Sequence, residues 1–131
     1  MNNVLLDTSI LIDYSRRPDK YDTALVKLQQ SGAILFVSII THTEIYSGKS
    51  IWEKKEIAEE AENLFSGLQV LPLDVKLSKM AGEIKAHYNG TIADSIIAAT
   101  AIRNKLMLVT FNIKDFKKIK GLKILKYPLE N

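Results

Sequence analysis

Cysteine is absent from this chain of 131 residues, which excludes disulfide bonds, a thiolate zinc site and a cysteine nucleophile. Glycine and proline are scarce, with six and three residues, so collagen-like and low-complexity classes are excluded as well. No apolar run approaches the ~18 residues that a membrane span requires. Because 47% of the residues are hydrophobic, we expect one globular domain covering residues 1–131.

Histidine is also rare, and His42 and His87 are the two in the chain. Nothing in the sequence places them together, which disfavours a metal-free mechanism that uses a histidine pair. No basic segment precedes the first apolar residues, so no signal peptide is predicted. We therefore expect a cytoplasmic protein that does not associate with membranes.

The net charge is only +3, but it is unevenly distributed along the chain. Glutamates crowd residues 53–62, whereas lysines and one arginine dominate the sequence after residue 94. Three of these lysines, here called the lysine triad, are Lys114, Lys117 and Lys118. Such a run is either a solvated surface or an edge that faces the phosphates of a nucleic acid.

Short apolar runs alternate with amphipathic helical segments along the chain. Strands are predicted at 4–6, 34–37, 70–73 and 106–109, with a possible edge strand at 122–125. Helices are predicted at 8–16, 21–30, 41–47, 51–68, 74–88, 91–104 and 112–119. This alternation predicts an α/β fold with a parallel sheet of four or five strands, covered by helices on both faces.

Four acidic residues stand at the starts of predicted helices, and we expect these starts to follow strands. This acid cluster comprises Asp7, Glu44, Asp94 and Asp115. The carboxyl ends of parallel strands line one crevice of an open sheet. Carboxylates gathered there repel one another unless a cation lies between them. The sequence therefore predicts a divalent-metal site, and in a basic chain this favours chemistry on phosphodiesters.

Each acid also has an explanation as a helix cap. Asp7 can cap the first helix, and the segments 41–44 and 91–94 match the capping box, in which Ser or Thr precedes Glu or Asp by three residues. The segment 112–115 is a variant of the same pattern that starts with asparagine. Capping does not require an acid, however, and four acids at one edge of a sheet would converge whatever their capping role.

Four segments together resemble the motifs of PIN-domain proteins, especially VapC-type toxin ribonucleases of type II toxin–antitoxin systems. They are DTSILIDY at 7–14, SIITHTEIYSG at 38–48, DSIIAATA at 94–101 and LVTFNIKDF at 108–116. The segments occur in the family's order, and the resemblance covers essentially the whole chain. It implies a three-layer α/β/α sandwich and a Mg²⁺- or Mn²⁺-dependent endoribonuclease.

The resemblance also implies roles for individual residues. Asp7, Glu44 and Asp94 match the family's metal-binding acids. The fourth acid stands in the family either at the position of Asn112 or at that of Asp115, so the charged candidate here is Asp115. Small polar residues match positions beside the site, where they would hydrogen-bond a carboxylate or a water: Thr8, Ser9, Thr110 and, as a neutral oxygen donor, Asn112.

The expected chemistry is in-line attack of a metal-activated water on an RNA phosphodiester. The resemblance implies an RNA substrate, a small VapB-like antitoxin and a homodimer. The alternatives are a PIN-family RNA-processing nuclease without an antitoxin and a receiver-like signalling module that binds phosphate. The receiver reading requires paired acids after the first strand, and Asp7 is followed by Thr8 and Ser9 instead.

Overall fold

The computed structural model describes residues 3–126. Its strands are β1 (Val4–Leu6), β2 (Leu35–Ser38), β3 (Gln69–Leu71) and β4 (Met107–Val109). Its α-helices are α1 (Thr8–Arg16), α2 (Ala24–Gln30), α3 (Ile39–Tyr46), α4 (Lys49–Glu53), α5 (Lys55–Ser66), α6 (Val75–Tyr88), α7 (Ile92–Arg103) and α8 (Ile113–Phe116). A single 3₁₀ turn at Lys20–Asp22 precedes α2.

The four strands form one parallel sheet in the order β3-β2-β1-β4. β1 lies inside the sheet, where Leu5 is paired with Phe36 of β2 and with Leu108 of β4. Beyond β4, Ile124 makes an isolated parallel bridge to Leu108, so the possible fifth strand is reduced to one bridge. The predicted parallel sheet is confirmed.

Side chains of β1 alternate between two cores, as the period of two in a strand requires. Leu5 belongs to a core that it shares with α6, α7 and α8. Val4 and Leu6 belong to the opposite core, built with α1, α2 and α5. Helices therefore cover both faces of the sheet, which confirms the three-layer α/β/α sandwich.

Boundaries shift at α2, which begins at Ala24 instead of 21, and at α3, which begins at Ile39 instead of 41, and two further predicted helices change more. The helix predicted at 51–68 is divided into α4 and α5, because Lys54 has an extended backbone with φ −124° and ψ 118°. The helix predicted at 112–119 is limited to α8, a single turn. Neither change moves an acidic residue of the cluster away from a helix.

The start of α7 reaches the carboxyl edge of the sheet by a route that the sequence pattern did not predict. α7 follows α6, not a strand, and the left-handed Asn89 (φ 54°) makes the turn between the two helices. α7 then leads into β4, which begins at the amino edge. Because α7 ends near the amino edge, its first turn, with Asp94, lies toward the carboxyl edge.

Candidate active site

Asp7 directly follows β1 and is almost completely buried, with 3% of its surface exposed. Its backbone N–H donates to the Val109 carbonyl at 2.9 Å, which ties the end of β1 to the end of β4. The hydroxyl of Ser9 donates to Asp7 Oδ2 at 2.9 Å, and that of Thr110 donates to the same oxygen at 2.7 Å. Both donors engage one oxygen, so neither of them occupies Oδ1.

The same two hydroxyls organise the loop that follows β4. Ser9 Oγ accepts the Phe111 N–H at 3.2 Å, and Thr110 Oγ1 accepts the Asn112 N–H at 2.9 Å. Each hydroxyl therefore joins the Asp7 carboxylate to a backbone N–H of this loop. The sequence-predicted polar residues Ser9 and Thr110 thus both contact the carboxylate of Asp7.

Glu44 is an exposed residue of α3, but its carboxylate is held from the neighbouring helix. The Thr8 hydroxyl at the start of α1 donates to Glu44 Oε1 at 2.7 Å. Thr8 Oγ1 in turn lies 2.9 Å from Thr41 Oγ1. Thr41 was missed as a site residue because the sequence pattern assigned it to a capping box.

Asp94, in the first turn of α7, is influenced by the charges of all three other acids of the cluster. Partial burial raises the pKa of the Asp94 carboxyl, and the negative charges of Asp7, Asp115 and Glu44 raise it further. The Thr91 hydroxyl opposes them by hydrogen bonding. Charges act on one another in this way only over short distances, so α1, α3, α7 and α8 bring the four acids to one region.

The candidates for the fourth site residue are Asp115, within α8, and Asn112, at its start, and they differ in charge and in their contacts. Asp115 is exposed in the first turn, and its charge acts on Asp94. Asn112 stands at the helix start without a side-chain capping hydrogen bond. The lysine triad is exposed on α8 and the residues directly after it, close in sequence to Asp115.

The capping explanation holds for one of the four acids' segments. Thr91 caps α7 by accepting the Asp94 N–H at 3.0 Å. In contrast, α3 begins three residues earlier than the proposed capping box requires, with Ser38 as its cap, so the box at 41–44 is wrong. Asp7 makes no side-chain capping hydrogen bond to α1. Capping therefore does not account for Asp7 or Glu44.

The two histidines lie on different helices, α3 and α6, and have different contacts. The His42 ring packs against Tyr46 and Phe65, with centroid distances of 4.7 and 4.6 Å. His87 Nδ1 lies 2.9 Å from the Glu83 carbonyl within α6. A paired-histidine mechanism has no basis in this arrangement.

The donor chemistry of the cluster suits a hard divalent cation, which prefers oxygen ligands. Within residues 3–126, however, no three acidic, histidine or cysteine side chains are close enough together to hold one ion jointly. Mg²⁺ is usually bound through one or two carboxylates, with waters completing its shell. The residues fit such an open site better than a closed cage of protein ligands.

Residues 4–122 match the family model described as PIN domain. The chain belongs to the PIN-domain family. It is similar to ribonuclease VapC2 of Rickettsia felis, with 33% identity over 125 residues, covering 90% of this chain and 92% of that protein. It is equally similar to ribonuclease VapC2 of Haemophilus influenzae, with 33% identity over 131 residues, covering 94% of this chain and 96% of that protein.

Solved structures agree with this PIN-domain assignment. DNA-bound VapBC from Salmonella typhimurium superposes with a TM-score of 0.78 and 25% identity, covering 95% of this chain and 98% of that chain. A toxin–antitoxin complex from Klebsiella pneumoniae gives a TM-score of 0.71 and 27% identity, covering 92% of this chain and 95% of that chain. The predicted PIN-like fold is thus confirmed over nearly the full length of both proteins.

In this PIN domain the acid cluster lies at the carboxyl edge of the sheet, where open α/β folds place their ligands. Two of its acids, Asp7 and Glu44, accept hydrogen bonds from the neutral hydroxyls of Ser9, Thr110 and Thr8. No described helix is long and apolar enough to cross a membrane.

Proposed function

We propose that the protein is a Mg²⁺- or Mn²⁺-dependent endoribonuclease and the toxin of a VapBC-type pair. The observation that carries this proposal is the acid cluster at the carboxyl edge of the sheet, where burial and then the charges of the other three acids raise the pKa of Asp94. Its similarity to several ribonucleases named VapC supports the choice of reaction.

Asp7 and Asp94 are the proposed principal ligands, with Glu44 and Asp115 completing the acidic surface. A bound cation would lower the pKa of water and stabilise charge on the phosphate. Ser9 and Thr110 fix Oδ2 of Asp7, and Thr8 fixes Oε1 of Glu44. Since these hydroxyls are neutral, they orient the carboxylates without cancelling their charge.

We propose Asp115 as the fourth acid, with Asn112 as a neutral neighbour. Asp115 contributes to the raised pKa of Asp94, whereas the contact assigned to Asn112 is a backbone one, from its N–H to Thr110. The lysine triad beside Asp115 would hold the RNA by its phosphates. Phosphate contacts of this kind give affinity without sequence specificity, so the RNA target must be selected by other residues.

The proposed partners are an RNA substrate, a VapB-like antitoxin and a second copy of the chain. An open groove of about 430 Å³ lies between α1, α3, α4 and α5, and none of the four acids lines it. Apolar residues on its wall include Ile45, Ile51 and Leu64. An amphipathic antitoxin helix would bury its apolar face in such a groove.

The receiver-like alternative is disfavoured by Asp74, the acid that follows the third strand. Its carboxylate accepts two hydrogen bonds from Arg103 Nη1, at 2.8 and 2.9 Å. Its Oδ1 also accepts the Leu77 N–H at 2.8 Å as the cap of α6. A carboxylate with these partners is a structural group, whereas a receiver needs a phosphate acceptor at this place. An RNA-processing PIN nuclease without an antitoxin is the remaining alternative.

The experiment is to incubate the purified, antitoxin-free protein with an end-labelled pool of structured RNAs. Mg²⁺, Mn²⁺ and EDTA reactions are compared for the wild type and Asp94→Asn. We expect cuts that require metal and are lost in the variant. Cleavage in EDTA, or equal cleavage by a folded Asp94→Asn protein, would contradict the proposal. A short upstream reading frame for a DNA-binding antitoxin would separate the toxin from an RNA-processing enzyme.

A further inference from the structure

The hydroxyl of Thr41 is turned toward the site instead of into its own helix. Thr41 lies in the first turn of α3 with 0% of its surface exposed. Threonines inside helices commonly donate to the carbonyl four residues earlier, as Thr43 does to Ile39 at 3.1 Å and Thr100 to Ile96 at 2.7 Å. For Thr41 that residue is Val37 of β2, which lies outside the helix. Thr41 Oγ1 instead lies 2.9 Å from Thr8 Oγ1.

The direction of these hydrogen bonds follows from counting protons. An ionised carboxylate accepts hydrogen bonds and donates none, and a threonine hydroxyl has a single proton. Thr8 therefore gives its proton to Glu44 Oε1, at 2.7 Å. The proton between the two threonines then belongs to Thr41, so the chain runs from Thr41 to Thr8 to Glu44.

We propose that Thr41 is a positioning residue that acts on Glu44 through Thr8. The Thr41 hydroxyl fixes the orientation of the Thr8 hydroxyl, and its dipole strengthens the bond from Thr8 to the carboxylate. Glu44 is exposed, and a glutamate side chain in solvent samples many rotamers. The buried pair of hydroxyls thus holds an otherwise mobile carboxylate toward the remaining acids. This inference rests on the proposed function, because it assigns Glu44 to the metal site.

The test compares Thr41→Val, which has the same shape without the hydroxyl, with Thr41→Ser, which keeps it. Thr43→Val is the matched control, since it makes the same chemical change two residues further along α3, where the hydroxyl donates to the Ile39 carbonyl of its own helix. Three quantities are measured: kcat and KM for RNA cleavage, and the Kd for Mn²⁺ by calorimetry. Crystal structures of the metal-free proteins add a readout that needs no activity.

Supporting groups behind metal ligands typically change affinity or activity by about 10–100-fold when lost. We expect Thr41→Val to lower kcat and weaken Mn²⁺ binding by about 10-fold, at the lower end because it acts through Thr8. KM should stay unchanged, since the phosphate contacts are elsewhere. Thr41→Ser and Thr43→Val should resemble the wild type. Thr41→Ala repeats the comparison with less crowding if Thr41→Val does not fold.

The inference is overturned if Thr41→Val matches the wild type in kcat and Mn²⁺ affinity. It is also overturned if Thr41→Ser is as impaired as Thr41→Val, because packing of the methyl would then be the cause. A wild type that neither cuts RNA nor binds Mn²⁺ would refute the proposed function instead. The crystal structures then decide the positioning role: a Glu44 that keeps its Thr8 contact in Thr41→Val refutes it, and one that loses the contact supports it.

Discussion

The contact between Thr110 and Asp7 allows a quantitative test of how the central carboxylate is held. Thr110 is 2% exposed, and its hydroxyl both donates to Asp7 Oδ2 at 2.7 Å and accepts the Asn112 N–H at 2.9 Å. We predict that Thr110→Val lowers the free energy of unfolding at neutral pH in the absence of metal. The variant keeps the shape of the side chain, so the loss measures the hydroxyl.

The magnitude follows from the charge on Asp7. A hydrogen bond to a charged group contributes about 1.5–3 kcal/mol, against about 1 kcal/mol for a neutral pair. The Asn112 N–H lies on an exposed residue, and water replaces its lost acceptor at little cost. We therefore expect Thr110→Val to cost about 2 kcal/mol, which for a domain of this size corresponds to a fall in Tm of roughly 8 °C.

A double-mutant cycle separates the hydrogen bond from packing. In an Asp7→Asn background the acceptor is neutral, so Thr110→Val should cost only about 1 kcal/mol. Urea unfolding followed by circular dichroism, with EDTA present, gives the four free energies. Thr110→Ser keeps the hydroxyl and serves as the control for the lost methyl. Equal costs of Thr110→Val in both backgrounds would refute a charge-assisted bond to Asp7.

Three further predictions concern the other charged groups. The pKa of Asp94 is raised in the folded protein, so the stability that its protonated carboxyl contributes is present below the unfolded pKa and is lost as the pH rises through the folded pKa. Without metal, Asp94→Asn should therefore raise Tm more at pH 8 than at pH 3. Equal increases in Tm at the two pH values would contradict an unfavourable ionised Asp94. The pKa of Asp74 is lowered, chiefly by its hydrogen bond with Arg103. The pair should therefore stabilise the fold at a pH above the unfolded pKa of about 3.9, and this stabilisation should be lost in more acid solution. Thermal unfolding of Arg103→Met across that range checks the pair, which fails if the difference from wild type does not shrink on acidification. Replacing the lysine triad by Gln should reduce the salt dependence of RNA binding by a slope of about 2, at roughly 0.7 per phosphate contact of a single strand; an unchanged slope would remove the triad from the RNA surface.

The periodicity of the sequence predicted the sheet and most of the helices because burial determines both. Val4–Leu6 is apolar at every position, as a strand covered on both faces must be, and it is fully buried. The start of α3 was predicted too late because its cap, Ser38, is also the last residue of β2, so no separate turn residue marks the change from strand to helix. Strand and helix periodicity cannot be separated over so few residues. The break at Lys54 likewise carries no Gly or Pro signal.

The acid cluster was predicted from local patterns, but its supporting hydroxyls were only partly predicted. Asp7 and Thr110 lie far apart in sequence and meet because β1 and β4 are neighbours in the sheet. Asp94 reaches the same edge through the hairpin of α6 and α7, which depends on the packing of two helices and not on a strand end. Thr41 was assigned to capping because a local motif explained it, although its partner lies on another helix.

The choice of hydroxyls around these acids bears on what the site can do. Salt bridges in the described part of the chain join Arg17, Lys27 and Arg103 to aspartates outside the acid cluster. A lysine or arginine beside a carboxylate would orient it and neutralise it at once. Hydroxyl donors orient it and leave its charge intact, so the acids repel one another, and burial together with this repulsion raises the pKa of Asp94. A divalent cation bound as we propose would relieve that repulsion, so the feature that opposes folding of the metal-free protein would favour binding of the ion.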